Sequence, residues 1–188
     1  MKKLYLVSAI LLLLNFLTFG QSLLGQGTFS INGNISFTSY YEKNSENDRT
    51  IFIFNPSFDY FLIDNLSLGL TFNFSNISLG ENSSSSWGIG PSLRYYFLAA
   101  ENIRPFTGVG YSYATENTPV SNKDIKYNNI ILNAGIDYFL TDNVALETIL
   151  SYTFINMKLP DEYSNYYSDL DVSRRSISVG LGINIFLR

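Results

Sequence analysis

The 188-residue chain has neither cysteine nor histidine, and those two absences exclude a wide range of chemistry. Without cysteine there are no disulfides, thiol nucleophiles or thiolate metal sites, and no lipid-attachment point behind a leader, so a lipoprotein anchor is ruled out. Without histidine, mechanisms built on an imidazole base are excluded, and zinc and haem sites lose their usual ligand. Charge is also sparse. The 12 Lys and Arg against 16 Asp and Glu leave a net charge of −4, so the basic surplus that nucleic-acid binding needs is missing. One long apolar run exists, at 4–19, but Asn15 interrupts it and it is shorter than the roughly 20 residues that cross a bilayer as a helix. Lys2 and Lys3 precede this run and Thr18-Phe19-Gly20 follow it, the layout of a secretory signal. Residues 1–20 are therefore predicted to be a signal peptide removed before Gln21, leaving 21–188 as one domain.

What the chain has in place of these is aromatic side chains, 16% of its residues, spread by alternation and not by clustering. One motif ends three segments and recurs at the last: Asp59-Tyr60-Phe61-Leu62, Arg94-Tyr95-Tyr96-Phe97, Asp137-Tyr138-Phe139-Leu140 and Asn184-Ile185-Phe186-Leu187. A repeat of about forty residues with period-2 alternation describes an array of β-hairpins. Eight such segments lie within 27–41, 50–62, 66–79, 87–97, 103–113, 130–140, 144–154 and 176–187. Joins after the second, fourth and sixth are read as three to five residues, whereas those at 42–49, 80–86, 115–126 and 159–172 are longer and polar. An all-β, eight-stranded antiparallel up-and-down barrel is the predicted fold.

Alternation does not say which face is outside, and a soluble lipocalin-like carrier with an apolar cavity shares the pattern. Three features favour lipid on the apolar face. Aromatics gather at both ends of the stripe, with Tyr60, Tyr95, Phe97 and Tyr138 near the short turns and Tyr41, Phe52, Trp87, Tyr113, Tyr152 and Phe154 near the long loops. The polar face is rich in Gly and Ser, small enough for a narrow lumen. Charge is almost absent from the stripe, as hydrocarbon requires. In the third segment the apolar phase shifts after Asn76 to Ile77 and Leu79, which predicts either a bulge or a strand leaving the membrane.

In these features the chain resembles the small outer-membrane β-barrel proteins of the OmpX and OmpA-barrel type, and within them the outer-membrane β-barrel domain proteins common in Bacteroidetes. The resemblance spans about residues 27–188. It implies a monomer in the outer membrane of a Gram-negative bacterium, in contact with outer-membrane lipid and with the assembly machinery, and without a cofactor. Barrels of this type usually end on an aromatic read by that machinery. Here Gly180, Ile183-Asn184-Ile185-Phe186-Leu187 and Arg188 supply a relaxed form, with Phe186 on the predicted lumen face. Barrel lipases, deacylases and proteases that resemble this fold depend on histidine, so no enzyme is expected.

Asp59, Arg94, Arg104, Asp137 and Glu147 fall on the polar face in the half nearest the short turns, and are predicted to form a structural ionic network that plugs the lumen. Phe61, Tyr96, Phe139 and Phe186 would close the bottom as a ring. In the last loop, Asp161, Glu162, Tyr163, Tyr166, Tyr167 and Asp169 suit recognition of an extracellular protein or glycan, because tyrosine rings order at small entropic cost. The same composition describes an ordinary solvated loop.

Overall fold

The computed structural model describes residues 24–40, 49–79, 82–97, 100–117, 125–158 and 172–188. They form one closed barrel of eight antiparallel strands: β1 (Phe29–Tyr40), β2 (Arg49–Ile63), β3 (Leu66–Leu79), β4 (Asn82–Tyr96), β5 (Ile103–Asn117), β6 (Ile125–Phe139), β7 (Val144–Lys158) and β8 (Val172–Leu187). Each strand pairs with the next, and β8 returns to β1. The predicted leader at 1–20, Tyr41, and the loop residues Asp161, Glu162, Tyr163, Tyr166, Tyr167 and Asp169 lie outside the described residues.

A row of paired residues runs from Leu187 through Phe29, Tyr60, Leu68, Leu93, Val109, Leu132 and Tyr152, and returns to β8 at Ile177, ten positions away (187 to 177). A stagger of that size closes only with strands tilted from the barrel axis. Period-2 geometry then assigns every other residue to the outside. Leu68, Leu132 and Leu181 are 47%, 46% and 63% exposed, so the apolar stripe faces outward and the lipocalin-like alternative, which needs it inside, is set aside. Thr28, Ser30, Asn32, Ser57, Ser67 and Ser112 are buried on the inner face. Such an exterior is stable only against acyl chains.

Several strands run further from the short turns than alternation predicts. Residues 82–86, read as loop, are strand: Ser83 pairs with Ser78 and Ser86 with Ser75. Similarly, β5 continues to Asn117 and β6 begins at Ile125, inside the predicted 115–126 loop. Above the hydrocarbon both faces meet water, so the ladder continues without an apolar alternation to reveal it. The β2–β3 and β3–β4 registers pass Asn76 and Ile77 without a break, with Asn76 exposed and Ile77 half-buried. The phase shift therefore marks a strand leaving the membrane and not a bulge. The register irregularity of β2–β3 falls at Phe61–Ile63, beside the turn.

The short turns measure two, six and four residues, at 64–65, 97–102 and 140–143. Asn65 adopts φ 66°, a left-handed conformation that asparagine tolerates better than most side chains. Residues 24–28 fold under this end of the barrel: the Gly27 N–H donates to the Phe61 carbonyl at 3.0 Å, the Asn65 N–H to the Leu24 carbonyl at 2.9 Å, and the Gln26 N–H to Asp64 Oδ1 at 2.8 Å.

Candidate functional site

The repeated motif builds the floor of the lumen. In Asp59-Tyr60-Phe61, Arg94-Tyr95-Tyr96 and Asp137-Tyr138-Phe139, the middle residue faces lipid and the two flanking residues face inward, stacked one above the other. The lower layer is aromatic. Phe106, Tyr96, Phe61, Phe186 and Phe139 form a chain of rings with successive centroids 5.6, 5.7, 6.2 and 5.1 Å apart, all buried. Leu24 and Ala145 complete this layer, both fully buried. Of these, Phe61, Tyr96, Phe139 and Phe186 are visible in the motif. Phe106 and Leu24 were not anticipated, although Leu24 belongs to the apolar pair Leu23-Leu24 just before the first strand.

The polar layer sits immediately above the rings. Arg94 Nη1 donates to Glu147 Oε2 at 2.6 Å and to Tyr96 Oη at 3.2 Å, while its guanidinium carbon lies 4.2 Å from the Phe106 ring centroid. Asn184 Nδ2 donates to both Asp137 Oδ2, at 2.8 Å, and Glu147 Oε2, at 3.1 Å. On the adjoining strand β1, where Asn32 pairs with Asn184, Asn32 Nδ2 donates to Asp59 Oδ2 and, at 3.3 Å, to Ser57 Oγ. The structure thus brings Asp59, Arg94, Asp137 and Glu147 into one buried layer. Arg104 stands apart from it: its guanidinium donates to the carbonyls of Ala100 and Ile103 at the barrel rim. Its backbone pairs with Asp137 between β5 and β6, but the side chain turns to these rim carbonyls and makes no bond to the carboxylates among the described residues. The bridging amides of Asn32 and Asn184 were not anticipated, though Asn184 occupies the same slot of the motif as Asp59, Arg94 and Asp137.

Two glycines make room for these layers. A Cβ at Gly69 would collide with the Asp59 carboxyl group, and one at Gly135 with the Phe106 ring and the Thr148 carbonyl. Gly135→Ala is expected to cost about 1–3 kcal/mol as overpacking. Gly33→Ala, whose Cβ would meet only the Phe54 ring at 3.7 Å, is expected to be close to neutral. Denaturant titration of the refolded barrel compares them.

Above the polar layer the lumen opens into a vestibule of about 70 Å³ lined by Asn34, Asn55, Asn73, Asn133, Ser92 and Arg94, among others. Its amides form a ladder, with Asn73 Nδ2 donating to Asn55 Oδ1 at 2.9 Å and Asn55 Nδ2 to Asn34 Oδ1 at 3.1 Å. Nearer the mouth, Glu116 accepts hydrogen bonds from Ser84 Oγ and Tyr127 Oη. The lumen is therefore a polar cup with an aromatic base. On the outside, Tyr95 and Phe97 meet edge to face at 5.1 Å near the short turns, and Tyr152 and Phe154 at 4.9 Å near the other end.

A closed, inside-polar and outside-apolar barrel with aromatics at both rims defines an integral protein of the bacterial outer membrane. The chain matches the outer membrane protein beta-barrel domain over residues 9–184, and it belongs to that family. Among solved structures it is similar to Neisserial surface protein A (NspA), with a TM-score of 0.62 and 16% identity over 85% of this chain and 97% of that one. The N-terminal β-barrel domain of Pseudomonas aeruginosa OprF gives 0.58 and 16% over 87% and 99%. Ail, the attachment invasion locus protein of Yersinia pestis, gives 0.51 and 13% over 86% and 100%. At these identities the likeness concerns the fold. No curated protein is matched by sequence.

Proposed function

We propose that this protein is a non-enzymatic, monomeric outer-membrane scaffold that acts at the cell surface, presenting its four external loops to an extracellular protein or glycan. The observation that supports this most directly is the sealed base of the lumen. Five buried rings in mutual contact lie under a hydrogen-bonded ionic layer, an arrangement that disfavours traffic across the membrane and leaves the outer rim as the place to meet a partner. A rigid barrel that holds loops rich in Tyr, Asp and Asn is a low-entropy platform for recognition. The Yersinia pestis neighbour, named for attachment and invasion, is built on the same frame.

Deletion of residues 160–170 is expected to preserve heat-modifiable migration on a gel while lowering binding to glycan arrays and immobilised extracellular-matrix proteins at least tenfold. Unchanged binding would remove the recognition role of that loop. In a planar bilayer the intact protein is expected to stay near baseline conductance, and Phe61→Ala with Phe186→Ala to raise it. Steady ion flow through the intact barrel would contradict a sealed scaffold.

A further inference from the structure

The barrel wall is not equally closed all round. Neighbouring strands elsewhere pair along most of their length, with β7–β8 continuous from Val144↔Ile185 to Met157↔Val172. The β1–β8 ladder, by contrast, starts at Phe29↔Leu187 and stops at Ile35↔Leu181. Continuing that register would pair Phe37 with Val179 and Ser39 with Ile177, and the structure forms neither pair. Among the described residues, 36–40 of β1 pair only with β2 on one side of the seam, and 172–180 of β8 pair only with β7 on the other.

Part of this opening lies at hydrocarbon depth. The outward side chains of β8 are apolar from Ile177 to Leu187, a stretch of the length that spans a bilayer as a tilted strand, and Arg175 follows above. The most exposed large apolar side chains among the described residues all flank the seam: Ile177 at 71%, Phe37 at 68%, Leu181 at 63% and Val179 at 61%. Unpaired strand edges facing lipid cost several kcal/mol per group and are tolerated where water or a polar partner reaches them. Here the inner lips are Ser36, Ser178 and Gly180, and the amide vestibule begins just behind them at Asn34 and Ile149. An occupant must therefore be apolar outside and polar at the edge. Its charge is indicated by Arg175, outward on β8 above the opening, exposed and in no ion pair among the described residues. Arg175 also lies 6.0 Å from the Phe154 ring.

We propose that the seam between β1 and β8 is a lateral binding site for an acyl-chain lipid with an anionic headgroup, drawn from the outer leaflet. The tail lies along Phe37, Ile177 and Val179, the headgroup meets Arg175, and the polar linkage between them satisfies the free strand edges.

The absence of natural cysteine makes the test direct. Ser178→Cys places a bimane label on the inner lip. Asn133→Cys places one somewhat deeper inside the closed wall, because the row through Asn133, Ser151 and Ser178 climbs with the tilt of the strands. Both labelled proteins, checked for heat-modifiable migration, are reconstituted in vesicles of phosphatidylglycerol or phosphatidylcholine with dibrominated acyl chains. Expected is at least twofold stronger quenching at Ser178→Cys than at Asn133→Cys in phosphatidylglycerol, with the excess lost in phosphatidylcholine and in the Arg175→Gln background. Equal quenching at the two positions would overturn lateral access. An excess indifferent to headgroup and to Arg175 would overturn recognition of an anionic lipid. Concentration-dependent energy transfer between labelled copies, with no bromolipid effect, would assign the seam to a second copy and overturn the proposal.

Discussion

Arg94→Leu is expected to destabilise the barrel by about 3–5 kcal/mol, the usual consequence of removing one partner from a buried ion pair. The cost comes mainly from what is left behind. Asp59, Asp137 and Glu147 are all almost fully buried, and Arg94 is the cation of their layer among the described residues. Without it, Glu147 Oε2 keeps only the Asn184 amide, and the ring layer loses the guanidinium that lies over Phe106. Replacing both partners, Arg94→Leu with Glu147→Leu, is expected to cost less than Arg94→Leu alone, because the orphaned carboxylate is removed as well. Guanidinium unfolding in lipid vesicles, followed by the emission of the single tryptophan, Trp87, measures both. A double variant as unstable as the single one would show that the guanidinium matters through packing and not through charge.

The second large effect tests which face meets lipid. Leu132 projects outward near the middle of the apolar stripe of β6, which runs from Ile130 to Tyr138. Leu132→Arg is expected to cost about 2–4 kcal/mol, the penalty for a cation at mid-membrane depth on a barrel exterior. Ile103, equally outward but beside a short turn, is expected to accept arginine for about 0–1 kcal/mol, because its side chain can reach the interface. The same unfolding measurement separates them. A soluble barrel would show small penalties at both positions, so the depth dependence is the decisive reading.

Much of this architecture was legible in the chain. Strands buried on one side and lipid-facing on the other must alternate, and the triplets Asp59-Tyr60-Phe61 and Asp137-Tyr138-Phe139 announce an ionic layer, an outer girdle and an aromatic floor at once. Alternation fails as a signal where both faces meet water. This is why the serines at 83–86 read as loop while they extend β4. Arg104 shows a second limit: period 2 assigns a face but not the direction a long side chain takes, and although Arg104 pairs with Asp137 its guanidinium reaches the rim carbonyls and not the carboxylates.

The sequence by itself determined the strand count, the outward apolar stripe and the exclusion of histidine and cysteine chemistry, because these follow from side-chain type and from a periodicity that each strand carries alone. Only the tertiary structure decided which lumen groups touch, that Asn32 and Asn184 bridge the carboxylates, that Leu24 folds under the floor, and that β1 and β8 part at Ile35 and Leu181. Those outcomes depend on the stagger and closure of all eight strands together. They set the heights at which side chains from distant parts of the chain meet.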